Sequence, residues 1–257
     1  MLFKQTENAL SFNGTTAIVK SNQPRPWGMK PVTVIIPVKD EEDGLRFLLE
    51  DYKESSFEGN SFVEFIFVID GRTSDDSKTI AREFSQHIIN QEETHGKGAA
   101  IKQAIDVWRS NRTPHVVFLD ADGSYSFSAV SSVLRALDEG AEVVSGSRFL
   151  GGRGGPEGMG RLHNFGNRTL SRISSIRNGR RLTDLCTGLW GFNAEALDSL
   201  DIRSNGFDLE AEIAGKARKK GLDHREIAVD WSQRKGGTSK LRSFSDGFII
   251  LLRILRT

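Results

Sequence analysis

The chain of 257 residues holds a single cysteine, Cys186. That excludes an internal disulfide and any zinc site built on several thiolates, and it fits a reducing compartment. Neither charge is in excess: 35 Lys and Arg against 34 Asp and Glu leave a net +1. A global nucleic-acid-binding signature is therefore missing, and no nucleic-acid partner is expected. No apolar run reaches the roughly 18 residues a membrane-crossing helix needs. Residues 1–30 lack the apolar core of a secretory leader, so none is expected there. Internal repeats and low-complexity tracts are also missing. What is present, 37% hydrophobic and 27% charged residues, is enough for one large α/β domain with a substantial core. The charge is uneven, with Arg and Lys crowding residues 148–181 and 216–256.

The chain is organised around Val116-Val117-Phe118-Leu119-Asp120-Ala121-Asp122-Gly123. Four consecutive apolar residues read as a strand buried on both faces of a parallel sheet. Two carboxylates follow where that strand should leave the sheet, the place where open α/β sheets bind ligands. Asp120 and Asp122 are hard oxygen ligands that suit Mg²⁺ or Mn²⁺ shared with substrate phosphates, although Asp and Gly also make ordinary turns.

Residues 1–30 read as an N-terminal extension ending in Pro24-Arg25-Pro26-Trp27-Gly28. Val32 to Pro37 is a β-branched strand, followed by acidic residues 40–43 and a helix over about 43–55. Phe62 to Ile69 is a second strand, and Ser74 or Asp75 can cap a helix over about 76–86. His87-Ile88-Ile89 is a short third strand. Gly96-Lys97-Gly98 opens a helix to about Arg109, where a helix N-terminus with Lys97 forms a ready anion site. Strand–helix units in this order predict a mostly parallel sheet with right-handed crossovers. A helix over about 127–138 and a strand Glu142–Gly146 continue the pattern. A glycine-rich loop over 151–160 reads as a lid, and a basic helix spans about 161–177. Then come a short strand Leu189–Phe192, a helix over about 208–220 begun by Asp208, and a strand within Leu222–Trp231. Arg234 to Lys240 is a basic glycine-bearing loop, and residues 242–257 form an amphipathic C-terminal helix with Arg242, Arg253 and Arg256 beside its apolar side. That helix either lies at a membrane interface, packs on the core or supports an oligomer.

In this order the motifs resemble those of the family 2 glycosyltransferases of GT-A fold, closest to the dolichol-phosphate mannose synthase-like branch, over about residues 32–240. Pro37-Val38-Lys39-Asp40-Glu41 resembles the turn after the family's first strand. Asp70-Gly71-Arg72-Thr73-Ser74-Asp75 resembles its Asp-Asp-Gly-Ser-x-Asp segment, with Ile69 replacing the first aspartate. Gly96-Lys97-Gly98-Ala99-Ala100, the DxD motif Asp120-Ala121-Asp122, and Gly146-Ser147-Arg148 match in turn. So do Asp184 to Gly188, Gly206-Phe207-Asp208-Leu209-Glu210 and the Arg234–Lys240 loop.

The resemblance implies a GT-A (Rossmann-like) domain over 31–241 that acts as an inverting, metal-dependent hexosyltransferase. Pro37, Val38, Glu41, Asp70 and Lys97 would line the base and ribose pocket, with Ala121 beside them. Asp120 would face the ribose or the metal, and Asp122 would hold Mg²⁺ or Mn²⁺ at the diphosphate, with Ser124 where the synthases carry a further ligand. A polyprenyl (dolichyl-type) phosphate would be the acceptor, met by Arg148, Arg234 and Lys240, whereas an alcohol acceptor would need a base such as Asp184. Glu210 reads as structural, His95 and His163 as surface or loop residues, and Cys186 as a small packed side chain. The implied location is cytoplasmic, peripheral at the membrane face. A soluble acceptor, a nucleotidyltransferase and a non-catalytic nucleotide-sugar binding module are the alternatives.

Overall fold

The computed structural model describes residues 30–257 except 56, 58–61, 86, 151–155, 157 and 237–244. Most of the N-terminal extension, part of the glycine-rich loop and Lys240 lie outside the described residues. The elements run β1 (Val32–Val38), α1 (Glu42–Glu54), β2 (Val63–Asp70), α2 (Ser77–Phe84), β3 (Ile88–Gln91), α3 (Lys97–Ser110) and β4 (His115–Leu119). They continue with α4 (Phe127–Asp138), β5 (Val143–Ser147), α5 (Arg161–Asn178), β6 (Leu189–Asn193), α6 (Ala194–Ser199), α7 (Leu209–Lys219), β7 (His224–Ala228) and α8 (Ser245–Arg256).

The strands form one seven-stranded sheet in the order β3-β2-β1-β4-β6-β5-β7. All pairs are parallel except those of β6, which runs antiparallel to both β4 and β5. Apolar side chains cover both faces, as the unbroken hydrophobic runs of β1, β2 and β4 require. On one face Leu45 and Leu48 of α1 and Val130, Val133 and Leu134 of α4 pack on the sheet. On the other, Ile101, Ala104 and Trp108 of α3 and Ile213 and Ala217 of α7 do so. The order 3-2-1-4 reverses direction between β1 and β4. A crevice must open at their carboxyl ends, Val38 and Leu119, the latter followed at once by Asp120.

Several expected elements shift. The third strand starts at Ile88 and runs to Gln91, where its register follows β2 from Phe67 to Asp70. The strand expected within Leu222–Trp231 stops at Ala228, because its partner β5 ends at Ser147. Beyond that point the chain crosses to the turn after β4, with Ser232 N donating to Ser124 O (3.1 Å) and Lys235 N to Asp122 O (3.0 Å). The N-cap of α2 is Asp76 rather than Ser74 or Asp75, but Asp75 still binds the helix start: its Oδ1 accepts from Ser77 N and its Oδ2 from Glu42 N at the start of α1, both at 3.0 Å. Asp208 begins α7, but its carboxylate is taken by Ser204 and Arg253 rather than by the helix N-terminus. The short α6, capped by Asn193 accepting from Ala196 N (2.7 Å), was not expected.

Candidate active site

The crevice at the β1/β4 switch point is a cleft of about 840 Å³. Pro37, Val38, Glu41, Asp70, Lys97, Asp120, Ala121, Asp122, Arg148 and Arg234 all line it. Of the other expected site residues, Asp184 lies beneath it and Lys240 falls outside the described residues.

Every carboxylate that lines this cleft is ion-paired. Asp70 accepts two bonds from Arg72 (2.8 and 2.7 Å), with His95 at 3.4 Å. The Arg72 bonds hold the Asp70 carboxyl down at about 2 against the opposing effect of burial. Lys97 Nζ sits between Asp120 Oδ1 and Glu210 Oε1, 2.7 Å from each. Burial pulls this ammonium down, but the two carboxylates outweigh it and hold Lys97 above its usual value. Arg234 Nη2 bridges Glu41 and Asp122, 3.1 Å from each, while its buried Nη1 has no hydrogen-bond partner among the described residues. Asp122 also makes the turn its neighbours suggested, since its Oδ1 accepts from Ser124 N (3.0 Å).

Close backbone approaches fix these groups. A side chain at Gly188 would fall on the Asp120 carboxylate, and one at Gly44 would strike the backbone of Ala121 and Asp122. Gly96 and Gly98 serve a purpose other than the expected anion cradle. Side chains there would meet the Asn205 and Ser204 carbonyls, and Ala99 N already donates to Asn205 O (3.1 Å). The start of α3 is thus covered by the chain itself, and Lys97 is engaged with carboxylates.

Asp184 is fully buried. It accepts from Arg148 Nε (2.6 Å), Arg148 Nη2 (2.8 Å), Arg148 N (3.0 Å) and Asn167 Nδ2 (2.6 Å). A carboxylate so occupied is a holder of Arg148, not a proton acceptor for substrate, which corrects the expectation of a base. Burial opposes the Arg148 charge, but Tyr125 and Asp184 outweigh it and raise the guanidinium further. Cys186 behaves as the small packed residue expected, its thiol pushed up to about 12 chiefly by burial.

Among the described residues no group of three or more His, Cys, Asp and Glu side chains is placed to hold a metal ion. Asp120 and Asp122 alone suit a hard cation that takes one or two carboxylates and completes its shell with phosphate and water oxygens. The donor set fits Mg²⁺ or Mn²⁺ in that mode, with Arg234 now on the oxygen of Asp122.

Comparison with known proteins decides the family. The sequence model described as Glycosyl transferase family 2 matches residues 33–201. The chain belongs to glycosyl transferase family 2. Relatives include the glycosyltransferase AglJ of Haloferax volcanii, 29% identical over 88% of this chain and 71% of that protein. A dolichyl-phosphate hexose transferase of the same organism is 29% identical over 81% of this chain and 91% of that protein. The polyprenol monophosphomannose synthase of Mycolicibacterium smegmatis is 25% identical over 81% of this chain and 80% of that protein. These relatives place the chain near the dolichol-phosphate mannose synthase-like branch. Glucosyl-3-phosphoglycerate synthase from Mycobacterium tuberculosis, solved with Mn²⁺, UDP-glucose and phosphoglyceric acid, superposes with a TM-score of 0.68. That match, 18% identical over 88% of this chain and 79% of that one, shows the GT-A fold.

In this glycosyltransferase the sequence reading missed part of the cleft wall. Leu162, Phe165 and Leu170 of α5, Gly247 and Ile250 of α8, and Trp231 also line it. The signal was present in α5, which is built inside out. Its buried positions are Asn167, Ser171 and Ser174, while Leu162, Phe165 and Ile176 are 55%, 71% and 77% exposed. The buried polar groups are used: Asn167 Oδ1 accepts from Cys186 N and Ser171 Oγ from Leu185 N.

Proposed function

We propose that the cleft moves a hexose from a nucleotide-diphosphate sugar to a polyprenyl-type phosphate, with inversion at the anomeric carbon. The pairing of every cleft carboxylate carries this reading. An alcohol acceptor needs a carboxylate or similar group to take its proton, and here Glu41, Asp70, Asp120, Asp122 and Glu210 are all held by cations. A phosphate acceptor is already ionised near neutral pH and needs cations instead.

The donor would lie at the carboxyl ends of β1 and β4, with its base and ribose toward Pro37, Val38 and Asp70 and its diphosphate toward Asp122. When bound there, Mg²⁺ or Mn²⁺ would supply positive charge to the leaving nucleoside diphosphate. Arg234 is the protein's own cation at that spot, with Nη1 left over for a phosphate oxygen. Charge grows on the leaving group as the glycosidic bond breaks, so this contact strengthens toward the transition state. The acceptor phosphate oxygen attacks the anomeric carbon from the opposite side, near Arg148, whose position Asp184 sets. Lys240 is proposed as a further acceptor-side cation.

The cleft mouth supports a lipid acceptor. α8 packs on α5 and α7 and buries Ile250 and Ile254, yet Phe248, Ile249 and Leu255 stay 62%, 49% and 53% exposed. Leu162 and Phe165 of α5, which packs on α8, are exposed apolar side chains too, and Arg161, Arg168 and Arg172 of α5 are exposed beside them in the sequence. An apolar face edged by arginines matches an anionic membrane surface. No helix of the described residues is long and apolar enough to cross a membrane. The test is to offer matched polyprenyl phosphate and polyprenol with each nucleotide sugar. Transfer to the phosphate alone is expected, and equal transfer to the alcohol would sink the reading.

A further inference from the structure

A second cavity, about 290 Å³, lies at the C-terminal end of α5 and shares no lining residue with the cleft. Four of its lining residues are arginines: Arg180, Arg181, Arg218 and Arg225. Arg225 is paired with Asp223 (2.8 Å), and Arg218 Nε donates to the Asn178 carbonyl (2.7 Å). Arg180 and Arg181 have no ion pair among the described residues. The one carboxylate lining the cavity, Glu226, is turned to the neighbouring loop, where it accepts from Thr183 N and Asp184 N at 2.9 Å. The cavity therefore holds uncompensated positive charge. Buried His224 responds to it: burial first, then the Arg180 charge, hold its imidazole down at about 4.

The arginines stand on a fixed frame. Gly179 takes a left-handed conformation (φ 61°) at the end of α5, with Arg180 N donating to Ser175 O (3.2 Å). Ser175 Oγ then accepts from Leu182 N (2.9 Å). Arg180 and Arg181 are thus held between two anchored points, which lowers the entropic cost of gathering them around a ligand.

We propose that this cavity is a binding site for a phosphate-type anion, either free or as the headgroup of an anionic lipid. Guanidinium groups meet phosphate oxygens in pairs of parallel bonds, and the volume stands at the small end of ligand pockets. An anion seated there would touch the segment that runs directly into Asp184, the residue holding Arg148 in the cleft.

The experiment uses the full chain without divalent metal. Inorganic phosphate is titrated calorimetrically, and co-sedimentation is measured with phosphatidylcholine vesicles with and without phosphatidylglycerol. Arg180→Ala with Arg181→Ala removes two exposed side chains, so the thermal midpoint, and donor turnover measured separately with Mg²⁺ or Mn²⁺, stay unchanged. Lys219→Ala with Lys220→Ala removes the same charge from outside the cavity, and Arg234→Ala reports on phosphate bound in the cleft. A tenfold or greater loss of phosphate affinity in the arginine pair alone supports a site for the free anion. A tenfold loss confined to phosphatidylglycerol-dependent vesicle binding, again in that pair alone, supports a headgroup site. No saturable binding by the wild type in either assay, or losses equal to those of the lysine pair, would overturn the proposal.

Discussion

On the proposed function, the ion pair of Asp122 and Arg234 is the contact on which the chemistry would turn. Asp122→Ala is expected to lower turnover about 100-fold or more, because the group that would gather cations around the leaving diphosphate is gone. Arg234→Ala should cost turnover by a similar factor with a smaller change in donor KM, since its contact strengthens in the transition state; a pure KM effect would contradict that role. The structural pairing of Arg148 with Asp184 and its proposed role in transfer can be separated. Arg148→Met leaves the fully buried Asp184 without its cation and should destabilise the fold by about 3 kcal/mol. Adding Asp184→Leu should restore much of the thermal midpoint and none of the transfer activity; restored activity would make Arg148 purely structural. His224 sets a pH dependence. Its folded value near 4 lies below the ordinary 6.5, so between pH 6.5 and 4 the unfolded chain binds a proton that the folded chain refuses. Stability therefore falls as pH drops through that window, by at most about 3 kcal/mol, and levels off below it. His224→Gln should flatten this slope in thermal midpoints measured across the window. At this scale the family resemblance named residues that the structure brings into one cleft, with Asp184 beneath it and Lys240 outside the described residues. Their pairing was hidden. Nothing local tells that Lys97 will reach across to Asp120 and Glu210, or that Asp184 will be closed over by Arg148.

Elements were legible wherever periodicity and local chemistry agreed. β1, β2 and β4 announced themselves as buried runs, and α4 fell on 127–138 as expected. The end of β7 was not legible, because it is set by the length of its partner β5 rather than by residues 229–231. The α5 helix was read only as basic. Its reversed pattern, polar inward and apolar outward, makes sense once the 182–188 loop is seen to need its hydrogen bonds and the outer face is seen to border the cleft mouth. For α8 the core-packing reading holds for one side, where Ile250 and Ile254 face in, while Phe248 and Leu255 face out, on the side where the proposed membrane contact would lie. Phe165→Ser with Phe248→Ser should leave the thermal midpoint nearly unchanged, since both side chains are largely exposed, and should weaken co-sedimentation with anionic vesicles about tenfold. Unaltered vesicle binding would remove the membrane from the account of this face.

Across the whole molecule, the order of strands does most to place function. Reversal between β1 and β4 opens a crevice, and the segments around Glu41, Asp70, Lys97, Asp122, Arg148 and Arg234 all converge on it. The near-neutral net charge is unevenly spread: the cleft holds paired carboxylates, while arginines concentrate along α5 and beyond it. The proposed transfer would join a dissolved nucleotide sugar at the sheet end to a lipid-borne phosphate at the mouth. The most direct measurement is a screen of nucleotide sugars with Mg²⁺ or Mn²⁺ and a polyprenyl phosphate, following released nucleoside diphosphate and lipid-linked sugar together. One donor should give equal amounts of both, with the sugar inverted. Transfer to a soluble acceptor alone, or no release of nucleoside diphosphate from any donor, would contradict the account.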